Sequence, residues 1–342
     1  MPEPRVAING LGRIGRAFLK LALKEGGVSV VAVNDLGDIN NLAYLLKYDT
    51  AYGKSGLDVS VSGNNLVIND KEIRFISEKD GTKLPWRELN VDVVVESTGV
   101  YESYEKSKVH IDAGAKRVVI SAPVKDEAPE GISGATILMG INDEKLATCQ
   151  ISSNASCTTN AASPLIQILH EKIGIEKALL STTHGYTATQ KLVDSPDAKD
   201  WRRGRAGAQN IVPSTTGAAI AVTKAVPDLD GKFDGIALRV PVITGSIADT
   251  TFIAKRDTSV EEVNTILKEA AKDPRWAGVF TATEEAYVSS DIVGTPYAAI
   301  ADLSFTKVVG GNLVKVLSWY DNEIGYTHAL LKHVIKAASF VS

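Results

Sequence analysis

Within its first 35 residues the chain spells strand, glycine-rich turn, helix and strand, an order that very few folds accept. Arg5-Val6-Ala7-Ile8-Asn9 is short, apolar and β-branched, and Gly10-Leu11-Gly12-Arg13-Ile14-Gly15 follows at once. From Arg16 to Lys24 the residues Phe18, Leu19, Ala22 and Leu23 make the apolar face of a helix. Val28 to Val33 is a second strand, closing on Asn34-Asp35. Glycines at the first, third and sixth positions, here Gly10, Gly12 and Gly15, allow a tight turn, close approach of the backbone to a pyrophosphate and tight helix–strand packing. The helix N-terminus then faces the phosphates. Asp35, 20 positions after Gly15, can accept hydrogen bonds from the adenine-side ribose. The same carboxylate repels a 2′-phosphate, so the expected cofactor is NAD rather than NADP.

Further α/β units continue the pattern. Val91 to Gly99 and Arg117 to Pro123 are buried-looking strands that end in small residues. Ligands of a doubly wound sheet bind beyond the carboxyl ends of its strands, which places Ser97, Thr98 and Ser121 along the cofactor crevice. Asp58 to Ile68 alternates around Gly63-Asn64-Asn65 and reads as a hairpin, an antiparallel excursion from the parallel sheet.

The remaining composition narrows the function. A length of 342 residues suits about two domains. A net charge of −4 offers no basic footprint for nucleic acid and no polybasic membrane patch. The two cysteines, Cys149 and Cys157, show no zinc spacing, so no metal site is expected. Low cysteine usage, no signal-like apolar core and no apolar run near 18 residues point to the cytoplasm, with no membrane partner.

Cys157 stands out because it lies in Ser153-Asn154-Ala155-Ser156-Cys157-Thr158-Thr159-Asn160, ahead of a helical run from Ala161 to Lys172. Polar neighbours are costly to bury without partners, and a thiol at a helix N-terminus is tuned toward the nucleophilic thiolate. Of five histidines only His184 follows a strand directly, Ala178 to Thr183, and sits among small polar residues, so it is the candidate base. Val193 to Ser214 reads as an unusually long irregular stretch carrying Arg202, Arg203 and Arg205. Pro213-Ser214-Thr215-Thr216-Gly217 then opens a helix from Ala218 to Ala225, a ready anion site. Arg239 interrupts the apolar strand Gly235 to Pro241, and an anionic ligand would partner it. Ser246 to Ala254, Ala298 to Phe305 and Val314 onward read as long strands, so the second domain is expected to be α+β on a mixed or antiparallel sheet.

Taken in order, Ile8 to Arg16, Ser153 to Asn160, Thr182 to Thr187, Pro213 to Gly217 and Ser318-Trp319-Tyr320-Asp321-Asn322-Glu323 resemble the phosphorylating glyceraldehyde-3-phosphate dehydrogenase family over the whole chain. The resemblance implies a Rossmann-type domain over 1–156, completed by a C-terminal helix over 322–342, and a catalytic domain over 157–321. It implies Cys157 as nucleophile and His184 as base, with Ser156, Thr158, Thr216 and Gly217 holding inorganic phosphate. Thr187, Arg203 and Arg239 would hold the substrate phosphate. Arg13 and Ile14 would meet the NAD pyrophosphate, Asn322 the nicotinamide amide, and Lys79 and Ser121 would be secondary cofactor contacts. The implied substrates are glyceraldehyde 3-phosphate and phosphate, and the implied assembly is a homotetramer. An erythrose-4-phosphate dehydrogenase of the same superfamily and a catalytically silent NAD-binding interaction protein are the alternatives. Ala161 stands where many members carry a second cysteine, and Ser195 is not the leucine often seen in NAD-specific members.

Overall fold

A computed structural model describes residues 2–341, and among these its contacts gather into two units: 2–155 with 330–341, and 156–329. The first unit is built on a nine-stranded sheet. In chain order its elements are β1 (Arg5–Asn9), α1 (Arg13–Glu25), β2 (Ser29–Asn34), α2 (Ile39–Lys47), a two-strand ladder of β3 (Tyr48–Asp49) and β4 (Gly53–Lys54), then β5 (Val59–Ser62), β6 (Asn65–Ile68) and β7 (Lys71–Ile76). They continue with β8 (Val93–Glu96), α3 (Tyr104–Asp112), β9 (Arg117–Ile120), β10 (Gly134–Thr136) and β11 (Ile151–Ser153). The sheet order is β10-β11-β9-β8-β1-β2-β7-β6-β5. Pairing is parallel from β10 to β7 and antiparallel only across β7-β6-β5, where the hairpin turns at Gly63-Asn64. The doubly wound reading and its antiparallel excursion are both present. β1 and β8 lie beside each other at the point where strand order reverses, which is where such sheets bind ligands.

A polar network lies under that point. Glu96, 1 % exposed, ends β8. Its Oε2 accepts from Asn9 Nδ2 at 2.6 Å and faces His110 Nε2 at 3.0 Å; its Oε1 accepts from Thr98 N at 2.8 Å and Thr98 Oγ1 at 2.5 Å. Trp86 Nε1 donates to His110 Nδ1 at 3.1 Å, so the His110 proton sits on Nε2 and is given to Glu96. Asn34 Nδ2 in turn donates to Asn9 Oδ1 at 2.7 Å.

The second unit carries α4 (Cys157–Ile173), β12 (Ile175–Gly185), β13 (Val212–Thr215), α5 (Ala218–Ala225), β14 (Phe233–Val240), β15 (Ser246–Ala254), α6 (Val260–Ala270), β16 (Phe280–Thr283), β17 (Ala299–Val309) and β18 (Leu313–Tyr320). Its seven-stranded sheet runs β13-β14-β12-β15-β18-β17-β16, with β12–β14 and β16–β17 parallel and the other pairs antiparallel. The expected mixed sheet is therefore found. Strict alternation of burial along β15 shows one face turned to the core. Ala178, Leu180, Phe252, Val314 and Val316 are buried in that core, and α4 packs on the sheet between α5 and α6.

Two boundaries differ from the sequence reading. Helix α4 starts at Cys157 rather than Ala161, because Ser156 caps it: Ser156 Oγ accepts from Thr159 N at 3.1 Å. The stretch from Val193 is not irregular throughout. It holds a 3-10 turn, Trp201–Gly204, and its last residues join the sheet as β13. The last helix, α7 (Ile324–Ala338), groups with the first unit only from Leu330. Residues just before it are tied to the second unit by Asp321, whose Oδ1 accepts from Thr244 Oγ1, Glu323 N and Ile324 N.

Replacing Glu96 with Ala would strand the donors of Asn9, His110 and Thr98 in a dry site. Urea unfolding should show a loss of about 3 kcal/mol; a change below about 1 kcal/mol, the level of an ordinary surface substitution, would contradict the buried-carboxylate reading.

Candidate active site

Sequence and local strain place Cys157 at the first position of α4. Ala155 has φ 53°, a left-handed backbone that costs a non-glycine residue about 1 kcal/mol, and its N–H is held by Ser153 Oγ at 3.0 Å. The chain then enters Ser156 in extended geometry and starts the helix at Cys157. Thr159 and Asn160 complete the cap, with Asn160 Nδ2 donating to Ser156 O at 3.0 Å. The Cys157 side chain is half-buried. Burial pushes its thiol up, while the Arg239 guanidinium and the Thr158 N–H pull it back down. The Cys157 N–H, at the positive end of the helix, adds to that downward pull.

His184 meets this thiol because β12 carries it to the end of the sheet. Cys157 Sγ lies 3.3 Å from His184 Nε2. The parallel register of β12 with β14 sets His184 directly beside Arg239. Arg239 Nη1 lies 2.6 Å from His184 Nδ1 and donates to Gly185 O at 3.2 Å. Burial, and then the positive charge of Arg239, push the imidazole down to about 3, so it is neutral at pH 7. A thiol, a neutral imidazole and a guanidinium thus stand in one row. Tyr320 closes the row from below: its hydroxyl bridges Thr158 Oγ1 at 2.9 Å and Thr182 Oγ1 at 2.7 Å, and its ring meets His184 edge-on at 5.9 Å.

Around this row are groups suited to anions. Of the three arginines in the loop, Arg202 pairs with Asp200 and Arg205 with Asp194. Arg203 makes no ion pair among the described residues; it donates to Ser214 Oγ at 3.3 Å, and its buried Nε has no partner. Arg239 is in the same condition, with Nε buried and unpartnered. Two guanidinium groups with no ion pair among the described residues, though Arg203 acts at longer range on Asp197 and Asp200, leave positive charge for a ligand. Thr216 Oγ1 accepts from Ala218 N at 3.1 Å, and exposed Gly217 caps α5 with no side-chain bond of its own. Thr187 is half-buried, its hydroxyl 2.9 Å from Thr189 Oγ1. Thr158, by contrast, is 4 % exposed, its hydroxyl lies 2.9 Å from that of Tyr320, and its N–H and hydroxyl both act on the Cys157 thiol. Asn322 Oδ1 accepts from Ser246 Oγ at 2.8 Å and Thr244 Oγ1 at 3.2 Å, which fixes the orientation of its amide.

In the first unit, a cavity of about 500 Å³ opens over the glycine turn, lined among others by Gly10, Gly12, Asp35, Lys79, Ser97 and Thr98. Gly10 has φ 97°, and a Cβ at Gly15 would lie 2.0 Å from Gly10 O, so neither position tolerates a side chain. At Gly12 a Cβ would meet nothing within 4 Å of protein; it would fill the space in front of α1, whose first N–H groups receive no side-chain cap. That cradle fits a pyrophosphate. Asp35 lines it with Oδ2 accepting from Leu11 N at 2.6 Å and Oδ1 from Gly37 N at 2.8 Å, leaving acceptor capacity on both oxygens. Ser97 Oγ ties down Gly10 O at 2.7 Å and Ser121 Oγ donates to Glu96 O at 3.0 Å, so these two hydroxyls shape the crevice wall. Ile14 is half-buried in the first turn of α1, and Arg13 beside it is paired with Asp49 at 2.8 Å. Among the described residues no group of three or more His, Cys, Asp or Glu side chains is placed to hold a metal ion.

Fold and site define a dinucleotide-binding α/β protein with a thiol–imidazole centre in its second unit. Family models agree: residues 4–104 match the glyceraldehyde 3-phosphate dehydrogenase NAD binding domain and residues 156–322 match the glyceraldehyde 3-phosphate dehydrogenase C-terminal domain. The glyceraldehyde-3-phosphate dehydrogenase of Geobacillus stearothermophilus is 46 % identical over 340 residues, spanning 99 % of this chain and 98 % of the relative. That of Streptomyces coelicolor is 47 % identical over 330 residues, 96 % of each chain, and glyceraldehyde-3-phosphate dehydrogenase B of Aspergillus oryzae is 44 % identical over 328 residues, again 96 % of each. The chain belongs to the glyceraldehyde 3-phosphate dehydrogenase family.

Sequence reasoning quoted Tyr320 within a motif but gave no role to it, to Ser246 or to the Trp86–His110–Glu96 chain. Alternation along β18 turns Tyr320 inward and would have marked it as a buried phenol in need of partners. Buried histidines also carry a pH signature. His184 and His333, the latter between Ser152 Oγ at 2.8 Å and Asn154 Oδ1 at 3.0 Å, are both pushed down to about 3 by burial. An unfolded histidine titrates near about 6.5, so between that value and about 3 the unfolded chain binds more protons. This stability is complete above about pH 6.5 and falls as pH drops through the window. Urea midpoints should decline from pH 7 toward pH 5, and less steeply in His333→Asn; identical slopes for variant and parent would refute the buried neutral imidazole.

Proposed function

We propose that the chain oxidises glyceraldehyde 3-phosphate with NAD and inorganic phosphate to 1,3-bisphosphoglycerate through a thioester on Cys157. The observation that carries this reading is the 3.3 Å contact between Cys157 Sγ and His184 Nε2, beside Arg239, whose buried Nε has no partner among the described residues. Cys157 attacks the aldehyde carbon and its proton passes to His184. Arg239, Arg203 and Thr187 hold the substrate phosphate, which orients the aldehyde toward the thiol. NAD, when bound, supplies the hydride acceptor for the oxidation.

After oxidation Cys157 retains the acyl group as a thioester, so its reactivity is kept for the second half of the reaction. Thr216, Gly217, the backbone of Thr158 and the rim at Ser156 hold the attacking phosphate, and its attack on the thioester carbon restores the thiolate. His184 is the base for the first half-reaction and the proton donor to the developing oxyanion. Asp35, Arg13, Ile14, Lys79, Ser97, Thr98 and Ser121, with Gly10, Gly12 and Gly15, would hold NAD, and Asn322 its nicotinamide amide. Asp35 at the ribose end supports NAD over NADP.

The assembly fits the same reading. Sheet register puts Leu179, Ile236, Val309 and Leu313 on the face of the second unit opposite α4, and all four are exposed. Trp201 and Leu192 in the loop are more than four-fifths exposed. Apolar surface of this kind supports a homotetramer. Among the described residues no helix is long and apolar enough to cross a membrane, and the cytoplasm is the proposed location.

NADH formation from glyceraldehyde 3-phosphate should require inorganic phosphate and should all but vanish in Cys157→Ser. Turnover that continues at full rate without phosphate would indicate release of a free acid and overturn the phosphorylating reaction. Sedimentation velocity should give a species near four times the mass of the chain; a monomer at micromolar concentration would refute the assembly.

A further inference from the structure

The two ends of an asparagine amide are nearly alike in shape, so only hydrogen-bond partners decide whether oxygen or nitrogen faces a ligand. At Asn322 that choice traces back to a group with no freedom. Gly185 N is a backbone N–H, which only donates, and it donates to Ser246 Oγ at 3.1 Å. Ser246 has one proton of its own and gives it to Asn322 Oδ1 at 2.8 Å. At 1 % exposure Ser246 does not share that proton with solvent. Asn322 Nδ2 is left as a donor with no acceptor among the described residues, and it is not sealed from solvent. Thr244 does not fix the amide alone. Its single proton is shared between Asp321 Oδ1 at 2.9 Å and Asn322 Oδ1 at 3.2 Å, and the carboxylate is the nearer and stronger acceptor.

We propose that Ser246 is a positioning residue for the cofactor: its proton keeps Asn322 Oδ1 turned inward, so that Nδ2 is the atom offered to the oxygen of the nicotinamide carboxamide. Without that hydroxyl the Thr244 proton settles on Asp321, and the Thr244 oxygen becomes an acceptor. Nδ2 is then drawn inward and Oδ1 is presented to the cofactor in its place. An amide that presents oxygen asks for a donor, where one that presents nitrogen asks for an acceptor.

The surroundings leave the amide as the part that turns, because the backbone at Asn322 is held on both sides. Asp321 Oδ1 accepts from Glu323 N at 2.8 Å and Ile324 N at 3.0 Å, and its Oδ2 accepts from Gly294 N at 2.7 Å. Ser246 itself is fixed in β15 opposite Tyr320 of β18. Its hydroxyl also holds the backbone N–H of the residue that follows His184. One side chain thus supports both the strand end that carries the base and the amide that serves the nicotinamide.

The inference rests on Asn322 serving the nicotinamide amide, as in the proposed function, and one experiment separates the two. Calorimetry measures the binding of NAD and of its 3-acetylpyridine analogue, in which a methyl group replaces the carboxamide nitrogen. The analogue keeps the oxygen and loses the N–H donors. An Asn322 that presents Nδ2 serves both ligands. One that presents Oδ1 serves NAD, whose carboxamide can turn over, and fails the analogue. The ratio of Kd for the analogue to Kd for NAD should therefore rise about fivefold or more in Ser246→Ala. Ser246→Cys, close in size but with a weak S–H donor, should show a smaller rise, and it decides by the same ratio where the alanine variant does not fold. General loosening of the site would weaken both ligands alike, so an unmoved ratio overturns the positioning role. Asn322→Ala should weaken NAD about fivefold. Unchanged NAD affinity in that variant would overturn the nicotinamide reading, and the role of Ser246 with it. Weakened binding in Asn322→Ala with an unmoved ratio in Ser246→Ala would overturn the role of Ser246 alone.

Discussion

The parallel pairing of β12 with β14 is the constraint on which the rest of the site depends. It makes His184 and Arg239 neighbours at the carboxyl ends of two strands. A one-residue slip in that register would turn every side chain of the strand to the other face of the sheet. His184 would leave Cys157, and buried Thr182 would leave Tyr320. The register is locked from both sides: β15 pairs with β12 from Ile175 to Thr183, and β13 pairs with β14 at Val212 to Thr215. A second constraint meets the first at Cys157, where a left-handed Ala155 and a Ser156 cap start a helix on the residue that carries the thiol.

Electrostatics in the free protein favour neutrality. Burial raises the thiol and lowers the imidazole, and Arg239 acts on both, pulling the thiol down and pushing the imidazole down as well. One cation therefore has opposite consequences for the two halves of a thiolate–imidazolium pair. It favours the thiolate and disfavours the imidazolium. An anion on Arg239 offsets that positive charge for His184. The first unit solves a different problem, that of keeping a carboxylate dry. Glu96 receives four donors from Asn9, Thr98 and His110, and Trp86 fixes the tautomer that makes the last of these a donor.

Much of this was legible in the chain, for identifiable reasons. The dinucleotide motif could be read because its glycines are dictated by backbone geometry: no Cβ fits at Gly10 or Gly15. The hairpin at Gly63-Asn64 declared itself by alternation and turn residues, and Cys157 and His184 by runs of small polar neighbours, which the structure buries with partners rather than leaving in solvent. What stayed hidden was everything that depends on pairing between distant segments. Nothing local says that Val212 lies beside Arg239 or that Tyr320 reaches Thr158. The start of α4 was misplaced because Thr158, Thr159 and Asn160 are weak helix formers. They are acceptable in a first turn where a serine caps and burial supports them. Thr158 illustrates the limit most clearly: nothing in its neighbourhood of the sequence says that its hydroxyl lies 2.9 Å from that of Tyr320.

The central claim is that Cys157 carries the acyl group between oxidation and phosphorylation. Intact-protein mass spectrometry of the chain mixed with NAD and glyceraldehyde 3-phosphate in phosphate-free buffer tests it directly. A 3-phosphoglyceroyl adduct should accumulate, map to the Cys157 peptide, be absent in Cys157→Ser and disappear when phosphate is added. An NADH burst with no adduct on Cys157, or an adduct that phosphate does not discharge, would contradict it.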